Sequence, residues 1–91
     1  MLTVSRLRYL LSYNKSTGIM RWKNPTSNRV RVGSVAGCSR ADGFRKIAID
    51  GRSYLTNRLA VLHQTGEWPA SNVIFKNGNR SDVSWRNLRT A

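Results

Sequence analysis

Between Asn72 and Arg89 the chain reads NVIFKNGNRSDVSWRNLR, a stretch with the outline of a loop that could act on a phosphodiester. Metal-dependent hydrolysis of a phosphodiester needs a base to activate water, oxygen ligands to hold a divalent ion, and a group that orients the base. A strand end, a loop and a helix can bring these together within such a length of chain. Here Ile74, Phe75 and Val83 interrupt the polar residues, and none of them can accept a proton or ligate a hard cation. Asn87 keeps an amide oxygen, and one amide does not make a metal site. The single His63 and the single Cys38 cannot build a zinc site, and Cys38 has no partner for an internal disulfide.

What the chain has in excess is positive charge. Sixteen Lys and Arg stand against four Asp and Glu, a formal net charge of +12 on 91 residues. Such a balance repels itself in the compact state and calls for an anionic partner, nucleic acid first among them. No run approaches the length of a membrane-spanning helix, and the opening MLTVSRLRYLLSYN lacks the uninterrupted apolar region of a signal peptide. The expectation is a soluble, cytoplasmic chain of one domain over residues 1–91, with no membrane partner, no cofactor and no bound metal.

The elements that must position these residues read as α+β. Val4, Leu7, Leu10 and Leu11 recur at helical spacing after Thr3, which predicts an N-terminal helix over 4–12 with Arg6 and Arg8 on its other face. Gly18 opens a strand over 19–23. Residues 24–43 are rich in turn formers and predict an exposed connection with short strands around 31–35. GFRKIAIDGRSYLT reads as an antiparallel hairpin turning at Asp50-Gly51. Thr56 is placed to cap a helix that buries Leu59 and Leu62 and ends at Gly66. A strand over 73–75, a turn in which Gly78 is flanked by Asn77 and Asn79, and a last helix over 83–89 capped by Ser81 or Asp82 complete the chain.

At this level the chain resembles the small HNH endonucleases common in bacteriophages. Their pattern, after a TGEWP segment, runs approximately V-D-H-I-N-G-D-R-S-D-N-R-x-x-N-L-R. TGEWP stands here at 65–69, and VIFKNGNRSDVSWRNLR aligns from Val73 to Arg89 without a gap. YNKSTGIMRWK and GRSYLTNRLAVL resemble two further family segments, Y-D-x-x-T-G-x-x-x-W-K and G-x-x-Y-x-x-H-R-L-A-W-L. The resemblance implies an N-terminal helix and hairpin region over 1–51 and an HNH-like ββα region over 52–91. It also implies where chemistry has gone. Ile74 stands in place of a metal-binding Asp, Phe75 of the water-activating His, Val83 of the Asn that helps orient it, and Asn57 of an upstream His. Of that polar set Asn87 alone survives, at the position the resemblance assigns to a helix residue contacting the metal. His63 could stand in as a base, but the resembled family places apolar or aromatic residues at that position.

The implied function is a pseudo-nuclease that binds double-stranded DNA without cutting it, as a repressor or site-blocking protein of a phage or mobile element. Its home would then be the host bacterial cytoplasm. Arg58, Lys76, Arg80, Arg86 and Arg89 lie on elements that in the resembled family straddle the DNA backbone, and are expected phosphate contacts. Arg45, Lys46 and Arg52 flank the hairpin, and Arg29 and Arg31 precede it; a two-stranded ribbon of this kind can enter a major groove. So small an interface would gain from a homodimer on repeated half-sites. The competing reading is an inhibitor that binds a host or rival protein of nucleic-acid metabolism through an acidic channel; an active nickase is a third. Phe75 and Ile74 are expected to pack inward rather than serve as an apolar wedge, and Trp22, Trp68 and Trp85 to belong to the core rather than to stack on bases.

Overall fold

A computed structural model describes residues 2–90. Helix α1 (Val4–Leu10) starts at Thr3, whose Oγ1 accepts from the Arg6 N–H at 3.2 Å, as the sequence predicts. It stops two residues short of its predicted end. Leu11 turns extended because residues 11–13 form strand β1 (Leu11–Tyr13), paired antiparallel with β2 (Met20–Trp22). Leu7, Leu10 and Leu11 are all buried, so the apolar spacing marks core positions correctly while strand pairing decides the backbone.

The chain then returns along β2 as a loop. The Trp22 N–H donates to Ser34 O at 3.0 Å and the Gly33 N–H to Trp22 O at 2.7 Å. Of the short strands expected around 31–35, only an isolated bridge between Val35 and Arg21 forms. The regular pairing begins later, at β3 (Cys38–Ser39), which with β4 (Arg45–Ile49) and β5 (Arg52–Leu55) makes a three-stranded antiparallel sheet. The β4–β5 turn has Asp50 at φ 50° and Gly51 at φ 81°, the paired positive values of a tight hairpin. Arg6 of α1 grips Asp50 with two hydrogen bonds of 3.1 Å. Ile47 and Ile49 point into the core, which leaves Lys46, Ala48 and Ser53 on the outer face.

Helix α2 (Thr56–Thr65) follows β5 without a gap. Leu55 occupies the capping position, so Thr56 is already helical and does not cap; its hydroxyl is buried without a hydrogen-bond partner. The far end is as predicted, with Gly66 left-handed and its N–H donating to Leu62 O at 2.9 Å. Beyond it, β6 (Val73–Phe75) pairs antiparallel with β7 (Leu88–Thr90). The predicted final helix over 83–89 is replaced by one 3-10 turn, Trp85–Asn87, that runs straight into β7. The pairing explains this: β7 is the strand bonded to β6, and it satisfies β6 backbone groups that a helix would leave open. Neither Ser81 nor Asp82 caps that turn, since Ser84 holds the capping position.

The α+β architecture expected from the sequence is thus the one observed. One cluster of buried residues runs from Leu2 through Leu11, Met20, Ile47 and Leu59 to Val83 and Leu88. Two glycines let the pieces close on each other. A Cβ at Gly18 (φ +79°) would meet the Ser84 nitrogen and lie 2.5 Å from the Val83 carbonyl carbon; at Gly37 (φ +88°) it would lie 2.5 Å from Lys46 O. Gly33 has a similar φ of +87° with open space around it. Left-handed backbone alone costs an alanine about 1–2 kcal/mol, and overpacking adds about 1–3 kcal/mol. Urea unfolding is therefore expected to show Gly18→Ala and Gly37→Ala losing clearly more stability than Gly33→Ala. Equal losses at the three sites would show that the close approaches do not matter.

Candidate nucleic-acid interface

The loop between β6 and the 3-10 turn is organised by one carboxamide. Asn87 is buried; its Oδ1 accepts from the Asn77 N–H at 3.0 Å and its Nδ2 donates to Asp82 O at 2.9 Å. The main chain of the same residue accepts from the Lys76 N–H at 2.7 Å. Smaller clasps fill the loop: Asn77 Oδ1 accepts from the Asn79 N–H, Asn79 Oδ1 from the Ser81 N–H, and Asp82 Oδ2 from Asn77 Nδ2. Asp82 Oδ1 accepts from both the Ser84 hydroxyl at 2.7 Å and its N–H at 3.2 Å. Those Ser84 bonds, with smaller help from Asn77 and the nearby Arg86, hold the Asp82 carboxyl below its ordinary pKa.

The loop docks on a partner distant in sequence. Arg80 donates to Asp42 O at 2.9 Å while its guanidinium carbon sits 4.8 Å from the centre of the Phe44 ring, and the Ser81 hydroxyl donates to Gly43 O at 3.1 Å. Nothing in the sequence marks residues 42–44 as the platform for a loop 38 positions away.

The four positions singled out by the resemblance have separate fates. Phe75 packs inward, its ring 5.8 Å from that of Phe44, with the core beneath. Ile74 points to the opposite face of β6, half-buried and across from Arg89, so the expectation that both pack inward holds for one of the two. Val83 lies in the core, and its carbonyl accepts from the Tyr13 hydroxyl. Asn57 is buried beside β6, with Nδ2 donating to Val73 O at 3.3 Å and Oδ1 without a hydrogen-bond partner. Among the described residues, no three His, Cys, Asp or Glu side chains come together in a metal-binding group.

His63 is turned toward β1. Its Nε2–H donates to Leu11 O at 3.1 Å and its ring tilts against Tyr13 at 5.9 Å. Burial pushes the imidazole below its ordinary pKa, against the Leu11 bond that raises it, and the charges of Arg8 and Lys23 lower it further.

The cations divide by what holds them. Among the described residues the ion pairs are Arg6–Asp50 and Arg40–Asp42. Arg52 and Arg58 line one cleft with Tyr54, Trp68 and Pro69, and Lys46 and Arg40 line the adjoining one, which also reaches Tyr54. Arg45 opens β4, Arg89 flanks Ile74 on β7, and Lys76 and Arg86 are exposed on either side of the Asn87 clasp. Arg29 and Arg31 stand apart, exposed on the loop tied to β2.

Residues 54–91 match the family model described as HNH endonuclease. The matched segment, less than half of the chain, begins in β5 and contains α2, the Asn87-clasped loop and β7. That part of the protein is HNH-like, which points to a nucleic-acid-related function. Comparison with curated proteins and with solved structures gave no match.

Two outcomes test this geometry. Removing the clasp by Asn87→Ala leaves an N–H and a C=O without their partner and is expected to cost about 1–3 kcal/mol in urea unfolding, with faster hydrogen exchange at Asn77. An unchanged exchange rate there would mean that the clasp does not hold the loop. For His63, the folded pKa lies below the unfolded value near 6.5, so the unfolded chain takes up the proton first. The stabilisation is complete above that value and is lost as pH falls through the folded one. The melting temperature should therefore drop on acidification below about pH 6.5, and His63→Gln should flatten this dependence.

Proposed function

We propose that this chain is a member of the HNH endonuclease family that has lost hydrolysis and kept binding, and that it acts by occupying duplex DNA, as a repressor or site-blocking protein of a phage or mobile element. The observation that carries the reading is the contrast within the β6–β7 unit. On the inner side, Phe75 packs at a tilt against Phe44 and Val83 is sunk in the core, where neither can move a proton. On the outer side, Lys76, Arg86 and Arg89 remain exposed, and Arg80 is held in place by Asp42 and Phe44.

Binding would proceed by charge. Phosphate contacts fix a protein on DNA through counterion release, and Arg presents a planar fork to phosphate oxygens. Arg80, Arg86 and Arg89 would anchor one stretch of backbone, with Arg58 and Arg52 beside them on α2 and β5. Lys46 on the outer face of the β4–β5 hairpin would face a groove, with Arg45 at the strand's start and Arg29 and Arg31 extending the contact. Asn87 would serve as a loop clasp, since both ends of its amide are already bonded within the loop.

The test is a titration against duplex DNA across a salt series with Mg²⁺ present, the DNA then run on a denaturing gel. The expected result is intact DNA and an affinity that falls with salt at a log–log slope of about −0.9 per phosphate contacted. The double variant Arg86→Ala/Arg89→Ala should reduce the slope by about 1.8. A Mg²⁺-dependent strand break would overturn the loss of hydrolysis. Failure to bind duplex even at low salt would overturn the DNA reading and turn attention to an acidic protein partner.

A further inference from the structure

Tyr54 and Trp68 stack on each other, their ring centres 5.7 Å apart and their planes 26° from parallel. Unlike the leucines beneath them, both are only half-buried, and both line an open cleft of about 370 Å³ together with Pro69. The Trp68 indole N–H donates to Leu2 O at 3.0 Å, which fixes the plane of the ring. Arg52 and Arg58 complete the lining, and neither takes part in the ion pairs found among the described residues. Arg58 also sits in the first turn of α2, which contains no acidic residue. A second cleft of about 380 Å³ continues past Arg52 and Tyr54 toward Arg6 and Leu2.

We infer that this cleft receives an unpaired nucleobase of a single DNA strand, its face against the Tyr54–Trp68 pair and its flanking phosphates on Arg52 and Arg58. An aromatic surface sharing a cleft with two guanidinium groups matches a nucleotide in both of its parts: stacking takes any base, and the cations follow the backbone. Charge argues against the other occupants. An acidic protein segment would use the arginines but gain little from the flat stacked rings, and a second copy of a +12 chain would bring like charge to Arg52 and Arg58. A base inside a duplex is already stacked and cannot present its face, so the cleft selects gaps, overhangs or displaced strands. The inference rests on the nucleic-acid reading above and narrows it.

The test uses the whole chain, a short oligothymidylate and a duplex of equal length. With 5-iodouracil in the single strand, ultraviolet crosslinking of the unaltered protein is expected to place the adduct on Tyr54 or Trp68. Tyr54→Leu, checked for folding by circular dichroism, should weaken single-strand binding about tenfold while leaving duplex affinity within about twofold. Arg52→Ala/Arg58→Ala should lower the single-strand salt slope by about 1.4, or 0.7 per phosphate. Adducts mapping only elsewhere, equal losses for strand and duplex in Tyr54→Leu, or self-association that abolishes the crosslink would overturn the inference. If duplex binds and the single strand does not, this inference alone falls; if neither binds, the nucleic-acid reading falls with it.

Discussion

Like-charge repulsion is the constraint around which this small protein is arranged. Sixteen cations share a chain with four acids, and the acids are placed sparingly: Asp50 joins α1 to the hairpin turn through Arg6, Asp42 holds Arg40, and Asp82 is used within its own loop. Several other cations are tied down by backbone oxygen. Arg8 donates to His63 O, Lys23 to Arg8 O, Arg21 to Gly33 O and Arg80 to Asp42 O. A carbonyl orients a guanidinium without neutralising it, so these bonds build structure and leave the repulsion in place. A polyanion binding the folded chain would relieve that repulsion, and would stabilise the fold by mass action as it did so.

This division separates cations that serve the fold from those free to serve a partner. Arg6, Arg8, Arg21 and Lys23 each tie a helix or strand to another element or to a loop, whereas Arg52, Arg58, Lys76, Arg86 and Arg89 line clefts or stand on exposed backbone. Arg80 belongs to both groups. Its side chain secures the loop of residues 76–82 to residues 42–44 while bringing a positive charge to the surface beside the Phe44–Phe75 pair. A guanidinium held in this way loses little further freedom on meeting a phosphate, which favours affinity.

Where local chemistry decides the backbone, the sequence was legible. Thr3 as a cap, Asp50-Gly51 as a turn and Gly66 as a helix stop all describe the structure found. The misjudged helix extents share a cause, which is pairing with a distant strand. Leu11 and Leu88 carry apolar side chains that fit a helix or a strand equally well, and only β2 and β6, eleven and thirteen residues away in register, settle the choice. The capping residues fail for a separate, local reason. Thr56 is drawn into α2 because β5 runs directly into the helix, and Asp82 spends its carboxylate on Ser84 and Asn77 rather than on a helix end. Of the candidate site, the cations were visible by composition; the platform at residues 42–44 and the aromatic cleft at Tyr54 and Trp68 exist only once the chain is folded.

The residues at the inward positions also bear on why such a loop would persist without chemistry. A polar site holds several groups partly desolvated and needs an ion or a network to balance them. Phe75 against Phe44 and Val83 in the core require no such balance, and each adds apolar burial worth about 1.5–3 kcal/mol when complete. The loop above them is closed by Asn87, a neutral side chain whose two bonds stay within the protein. Its shape is therefore set by packing and amide hydrogen bonds. On the proposed reading, the exchange of a polar site for an apolar one leaves Arg80 and its neighbours held by the protein itself, and what remains of the HNH-like segment is a rigid mount for positive charge.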